Sequence, residues 1–137
     1  MNAKTADSPS AAPKAQKPSV LVVDDEVDLR DVIAFDFTRK GFLVTQASGG
    51  IEAWSKIKES PAKFDLVITD IKMPNGDGLE LLTNIVAHFP KLPVICLSGF
   101  AVLSHEEILK IGARAIFAKP FDRKTFHDTV KQILGIV

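Results

Sequence analysis

Five short apolar runs, each closing on polar residues and most followed by a stretch of helical period, constrain this chain more than any other feature. Ser19–Val23 reads as a strand buried on both faces and ends in Asp24, Asp25 and Glu26. Phe42–Ala47 is a second strand. Phe64–Thr69 is a third, ending at Asp70. Pro93–Leu97 is a fourth, ending at Ser98, and Arg114–Ala118 is a fifth, ending at Lys119.

Helical patterns fill the intervals. After Glu26 a helix runs to Lys40 with Leu29, Val32, Ile33 and Phe37 on one stripe, and Gly41 stops it. Gly49–Glu59 carries Ile51, Trp54 and Ile57 at helical spacing. A loop with Pro74, Asn75, Gly76 and Gly78 leads to Asp77 as N-cap of a helix reaching about His88. A weaker helix covers Ser104–Ile111 and closes at Gly112; the last spans Asp122–Leu134 with Phe126, Val130 and Ile133 inward. Strands alternating with helices predict an α/β domain: a five-stranded parallel sheet with helices on both faces and right-handed crossovers.

In such open sheets a ligand site lies beyond the carboxyl ends of the strands. Asp24, Asp25, Asp70, Ser98 and Lys119 all stand at those ends, so folding gathers them into one cleft. Clustered carboxylates repel unless a cation compensates, and a hard divalent ion with oxygen ligands, Mg²⁺, suits them. Lys119 adds a point charge for a phosphoryl group and Ser98 a hydroxyl donor. The set fits an aspartyl nucleophile in phosphoryl transfer, which needs mainly positioning and charge neutralisation.

Composition narrows the classes. Lys+Arg and Asp+Glu balance at 17 each, so no basic face points to direct nucleic-acid binding. No apolar run approaches the roughly 18 residues that span a bilayer, so no membrane insertion is expected. Residues 1–18 contain three prolines and no Leu, Ile, Val or Phe. They read as a disordered tail ahead of a domain at 19–137. The one cysteine, Cys96, lies in an apolar run and reads as a core residue in a cytoplasmic protein. His88, His105 and His127 have no metal-site spacing and read as surface or helix residues; Trp54 reads as packing.

Four segments, taken together, carry a family likeness: Val22-Val23-Asp24-Asp25-Glu26, Ile68-Thr69-Asp70-Ile71-Lys72-Met73-Pro74, Ser98-Gly99, and Lys119-Pro120-Phe121. From about Ser19 to Val137 the chain resembles the response-regulator receiver domains of two-component signalling. The resemblance implies a flavodoxin-like strand order 2-1-3-4-5 and Asp70 as phosphoacceptor. It implies Asp25 and Asp70 as direct Mg²⁺ ligands with the backbone carbonyl of Lys72, and Asp24 holding metal-bound water. Ser98 and Lys119 would contact the phosphoryl oxygens, Gly99 would leave room beside Ser98, and Lys119–Pro120 would be cis. The phosphoryl group would come from a histidine kinase or a histidine phosphotransfer protein, and the receiver would itself promote its phosphorylation and dephosphorylation. A stand-alone switch with no covalent output domain is expected, acting on a downstream protein.

Two features depart from the family pattern. The position three before Lys119, where many receivers carry an inward-turning Tyr or Phe, is Ile116; Phe117 falls on the opposite face by strand alternation. Lys72 and Phe100 flank the site with a charge and a ring. Glu26 is assigned mainly to a helix N-terminus. Two other classes compete: a phosphate-independent interaction module, opposed by the intact acidic and basic set, and a haloacid-dehalogenase-type hydrolase, opposed by Ile71-Lys72 where that family resembles Asp-x-Asp.

Overall fold

The computed structural model describes residues 17–73, 77–99 and 104–136. Strands β1 (Ser19–Val23), β2 (Leu43–Ala47), β3 (Leu66–Asp70), β4 (Val94–Ser98) and β5 (Ala115–Ala118) alternate with helices α1 (Val27–Arg39), α2 (Gly50–Glu59), α3 (Gly78–His88), α4 (His105–Ile111) and α5 (Arg123–Leu134). A 3₁₀ turn at Pro61–Lys63 precedes β3. All strand pairs are parallel, in the order β2-β1-β3-β4-β5. The expected tail up to residue 16, the loop at 74–76, and Phe100 lie outside the described residues.

The central strands β1, β3 and β4 are buried at every position, which is why they read as unbroken apolar runs. Edge strands β2 and β5 are only partly covered. Alternation splits the strands between two cores. Leu21, Val23, Val67 and Cys96 face α2, α3 and α4, packing on Ala53, Ile57, Leu82, Ile85 and Ile108. Val20, Val22, Ile68, Ile95 and Leu97 face α1 and α5, packing on Ile33, Phe37, Phe126 and Val130. The Phe37 ring meets Phe42 and Phe126 edge-on, with centroids 4.9 and 6.0 Å away, the favoured aromatic geometry.

Helix ends follow the expected chemistry. Asp77 caps α3 by accepting from the Leu79 N–H at 2.7 Å. Ser104 and Glu107 form a capping box on α4, and Asp122 caps α5 through Thr125. Gly41 stops α1 at φ +92°, a conformation that disfavours a Cβ.

Two expectations are corrected and a third is narrowed. β2 begins at Leu43 because the Phe42 N–H is taken by the Phe37 carbonyl at the end of α1. On α1 the buried arc is Ile33, Ala34, Asp36 and Phe37, so Val32 lies at its margin, 47% exposed. His127, read as a surface or helix residue, is the latter: it lies on α5 and is 7% exposed, against the rings of Phe37 and Phe126.

Candidate functional site: a strand-end phosphoacceptor cleft

Beyond the carboxyl edge of the sheet, β1 delivers Asp24 and Asp25, β3 ends on Asp70, β4 ends on Ser98 and β5 leads into Lys119. Carboxylate oxygens of Asp24, Asp25 and Asp70 lie within 4.8 Å of one another. Asp24 and Asp70 are buried; Asp25 is exposed. The Lys119 Nζ donates to Asp70 Oδ2 at 3.1 Å and to Asp24 Oδ2 and Glu26 Oε1 at 3.2 Å each. Ser98 is buried and pairs with Ala118 across the sheet, and its carbonyl accepts from the Lys119 N–H at 2.8 Å. One backbone bond thus ties the serine of β4 to the lysine beyond β5. The Lys119–Pro120 peptide is cis, as the resemblance implies. Lys72 lies in the loop just after β3 and is exposed, and a Cβ added at Gly99 would meet nothing within 4 Å.

The electrostatics follow from this packing. Burial pushes the Asp24 carboxyl above its usual range and the Asp70 charge adds to the rise, while the Glu26 amide and Lys119 pull it back. Burial alone would lower Lys119, but the hydrogen bond to Asp70 and the charges of Asp24 and Asp70 outweigh it and hold the ammonium above its ordinary value. The site therefore keeps Lys119 charged. Cys96, on β4 beside Asp70, is pushed up to about 12 by burial and by that carboxylate, so it stays a thiol and packs in the core.

Sequence reasoning missed three contributors. Glu26, assigned to a helix terminus, makes no side-chain cap and instead pairs with Lys119; its place beside two acids was the available signal. Arg30, one turn into α1, donates to the Asp24 carbonyl at 2.8 Å and to Gln46 at 2.9 Å, and nothing in its neighbours' pattern marks it. Gly78 lets the start of α3 pass against β3: an added Cβ would lie 1.7 Å from the Asp70 carbonyl oxygen. Ile116 and Phe117 do face opposite ways. Ile116 packs with the α2–α4 core, whereas Phe117 joins Phe121 and Phe126 under α5.

Residues 20–131 match the family model for the response regulator receiver domain. The chain belongs to the response-regulator receiver family. It is 34% identical over 119 residues to sporulation initiation phosphotransferase F of Bacillus subtilis, covering 85% of this chain and 94% of that protein. It is 32% identical over 117 residues to the transcriptional regulatory protein ZraR of Klebsiella oxytoca, covering 85% of this chain but 26% of that regulator. Relatives thus include a protein matched over nearly its whole length and others of which this chain spans about a quarter. The crystal structure of the CheX–CheY–BeF3–Mg²⁺ complex from Borrelia burgdorferi contains a chain that superposes with a TM-score of 0.82 at 31% identity, covering 88% of this receiver and 91% of that chain. Receivers of this family act as phosphoacceptor switches in two-component systems, are phosphorylated by histidine kinases or phosphotransfer proteins, and bind Mg²⁺ at an acidic pocket. Among the described residues no helix is long and apolar enough to cross a membrane.

Proposed function

We propose that this receiver accepts a phosphoryl group on Asp70, with Lys119 and Ser98 binding its oxygens, and signals in the cytoplasm through a phosphorylation-dependent conformational change. The observation that carries this reading is Lys119 held at 3.1 Å from the Asp70 carboxylate, at the mouth of a three-carboxylate cluster. A carboxylate oxygen of Asp70 attacks phosphorus, the donor's bond to phosphorus breaks, and an acyl phosphate forms while the donor leaves with the electron pair. Charge on the transferred oxygens falls between the Lys119 ammonium and the Ser98 hydroxyl, which provide preorganised stabilisation.

The cluster fits a hard divalent cation. Among the described residues, three acidic side chains with oxygen-only donors converge with one lysine between them, short of the charge needed to neutralise them. Asp25 and Asp70 would hold Mg²⁺ with the Lys72 carbonyl, and Asp24 through water. When bound, the ion supplies further neutralisation of the phosphoryl oxygens.

Ser98 and Lys119 sit at the ends of the strands that feed the α4–β5–α5 face, so that face is the output surface. Without a ring at position 116, the change is confined mainly to the loop after Gly99 and to α4. The test is intact mass after incubation with acetyl phosphate and Mg²⁺. One added phosphoryl group is expected in the native chain and none in Asp70→Asn. Equal labelling of the variant defeats the assignment, and sustained turnover of a phosphate ester in place of stoichiometric labelling would indicate a hydrolase.

A further inference from the structure

Away from the phosphoacceptor cleft, the end of α1 and the outer side of α5 enclose a polar groove of about 490 Å³. Its walls carry five cations, Arg39, Lys40, Arg123, Lys124 and Lys131, against the two carboxylates of Asp36 and Asp128. Both carboxylates are already engaged. Asp36 takes Arg123 at 2.6 Å and Asp128 takes Lys124 at 2.9 Å. Among the described residues this leaves Arg39, Lys40 and Lys131 with no acid within ion-pair distance, although Lys131 stands near enough to help lower the Asp128 carboxyl.

His127 lies at the floor of this groove. It is 7% exposed, and among the described residues no hydrogen bond reaches either ring nitrogen; its contacts are with the rings of Phe37 and Phe126. A buried imidazole without a hydrogen-bond partner is costly, and unpaired polar groups of this kind call for an explanation. The charged groups facing it are Asp36 and Lys40 from the end of α1 and Arg123 and Lys131 from α5, so three cations oppose one carboxylate. Arg39 and Lys40 alone could be complements to the α1 dipole. Lys131 comes from the other helix, and the orphaned imidazole is foreign to that role.

We propose that the groove between the end of α1 and helix α5 is an anion site that takes a small, multiply charged oxyanion of the phosphate type through Arg39, Lys40, Lys131 and the His127 N–H. Such an anion offsets the mutual repulsion of the three cations, gives the imidazole its missing partner and offers enough oxygens for all four groups. The site is separate from Asp70 and stands whether or not Asp70 is the phosphoacceptor.

The test is a long-range ¹H–¹⁵N histidine spectrum of the full chain carrying Asp70→Asn, titrated with inorganic pyrophosphate and, in a second arm, with AMP. His88, on α3 beside Trp54, and His105, the first residue of α4, are internal controls. A saturable shift is expected at His127 alone. Replacing exposed Lys40 and Lys131 by Ala should weaken it about fivefold, the product of two exposed ion-pair contributions. Saturation by both anions shows that a phosphate ester is accepted; saturation by pyrophosphate only shows a site for free oxyanions. Linear shifts of all three histidines, no shift at His127, or equal affinity in the Lys40→Ala/Lys131→Ala chain would overturn the proposal.

Discussion

Replacing Gly78 by Ala sets two opposing effects against each other, and the structure decides between them. Alanine is the better helix former by about 1 kcal/mol in a helix interior, less at the first turn where residue 78 stands. Against this, the new Cβ would lie 1.7 Å from the Asp70 carbonyl oxygen, where real Cβ contacts stay beyond 3.0 Å. The obstacle is backbone at the end of a buried strand, so no side chain can swing aside. Overpacking of this kind costs about 1–3 kcal/mol. The Gly78 N–H also donates to the Ile71 carbonyl at 2.8 Å, and losing that bond adds about 1 kcal/mol. The net expectation is a loss of about 2 kcal/mol, or a fall of about 1 M in the urea midpoint at an ordinary slope. Relief of the clash moves the carboxyl end of β3, which carries Asp70 and its 3.1 Å contact with Lys119, so labelling by acetyl phosphate should slow as well. Urea unfolding followed by fluorescence, paired with intact-mass labelling, measures both. A midpoint equal to or above that of the native chain, with labelling at the native rate, would refute the steric argument.

Asp25→Ala should weaken Mg²⁺ binding and slow phosphorylation while leaving stability nearly unchanged, since Asp25 is exposed; metal titration and unfolding on the same sample separate the two. His127 is held below its usual pKa, first by burial and then by Lys40. The unfolded chain therefore takes up a proton near pH 6.5 that the folded chain refuses. Stability should be flat above that pH and fall as pH drops from there towards the folded value, and His127→Leu should flatten that limb in urea midpoints measured from pH 8 to 5. Ile116→Ala should alter the labelling rate by less than about twofold, because its side chain packs with the α2–α4 core away from Asp70; a large loss would show that position 116 reaches the site. Deleting residues 1–16 should leave the urea midpoint and labelling unchanged, and a loss of more than about 1 kcal/mol would mean that they pack on the domain.

What was legible in the sequence was the framework that periodicity encodes. Val20–Val23 and Leu66–Thr69 are buried on both sides, and such strands leave no room for polar residues until they end. The site was therefore marked by where polarity resumed, at Asp24, Asp70, Ser98 and Lys119. Contacts set by three-dimensional approach were not legible. Arg30 reaches the Asp24 carbonyl and Gln46 only because α1 starts over the end of β1. Asp36 is buried on a face read as apolar because Arg123, far along the chain, neutralises it. His127 carried no spacing signal because its surroundings come from two helices that meet only in the fold.

An ammonium group has three hydrogens to donate, and in Lys119 each already has a carboxylate: Asp24, Glu26 and Asp70. In the proposed transfer the phosphoryl group would meet a saturated donor and gain its bond to Lys119 by displacement. The three occupants do not surrender equally. Asp24 has no exposed side-chain surface, so abandoning it strands a buried charge, and Asp70 is the proposed acceptor itself. The Glu26 side chain is 64% exposed, and water can take over its oxygens at little cost. Glu26 is thus the ligand that leaves. It stands at the entry to α1, so the exchange at Lys119 frees one side chain at the start of that helix, a local release beside the larger change proposed at α4.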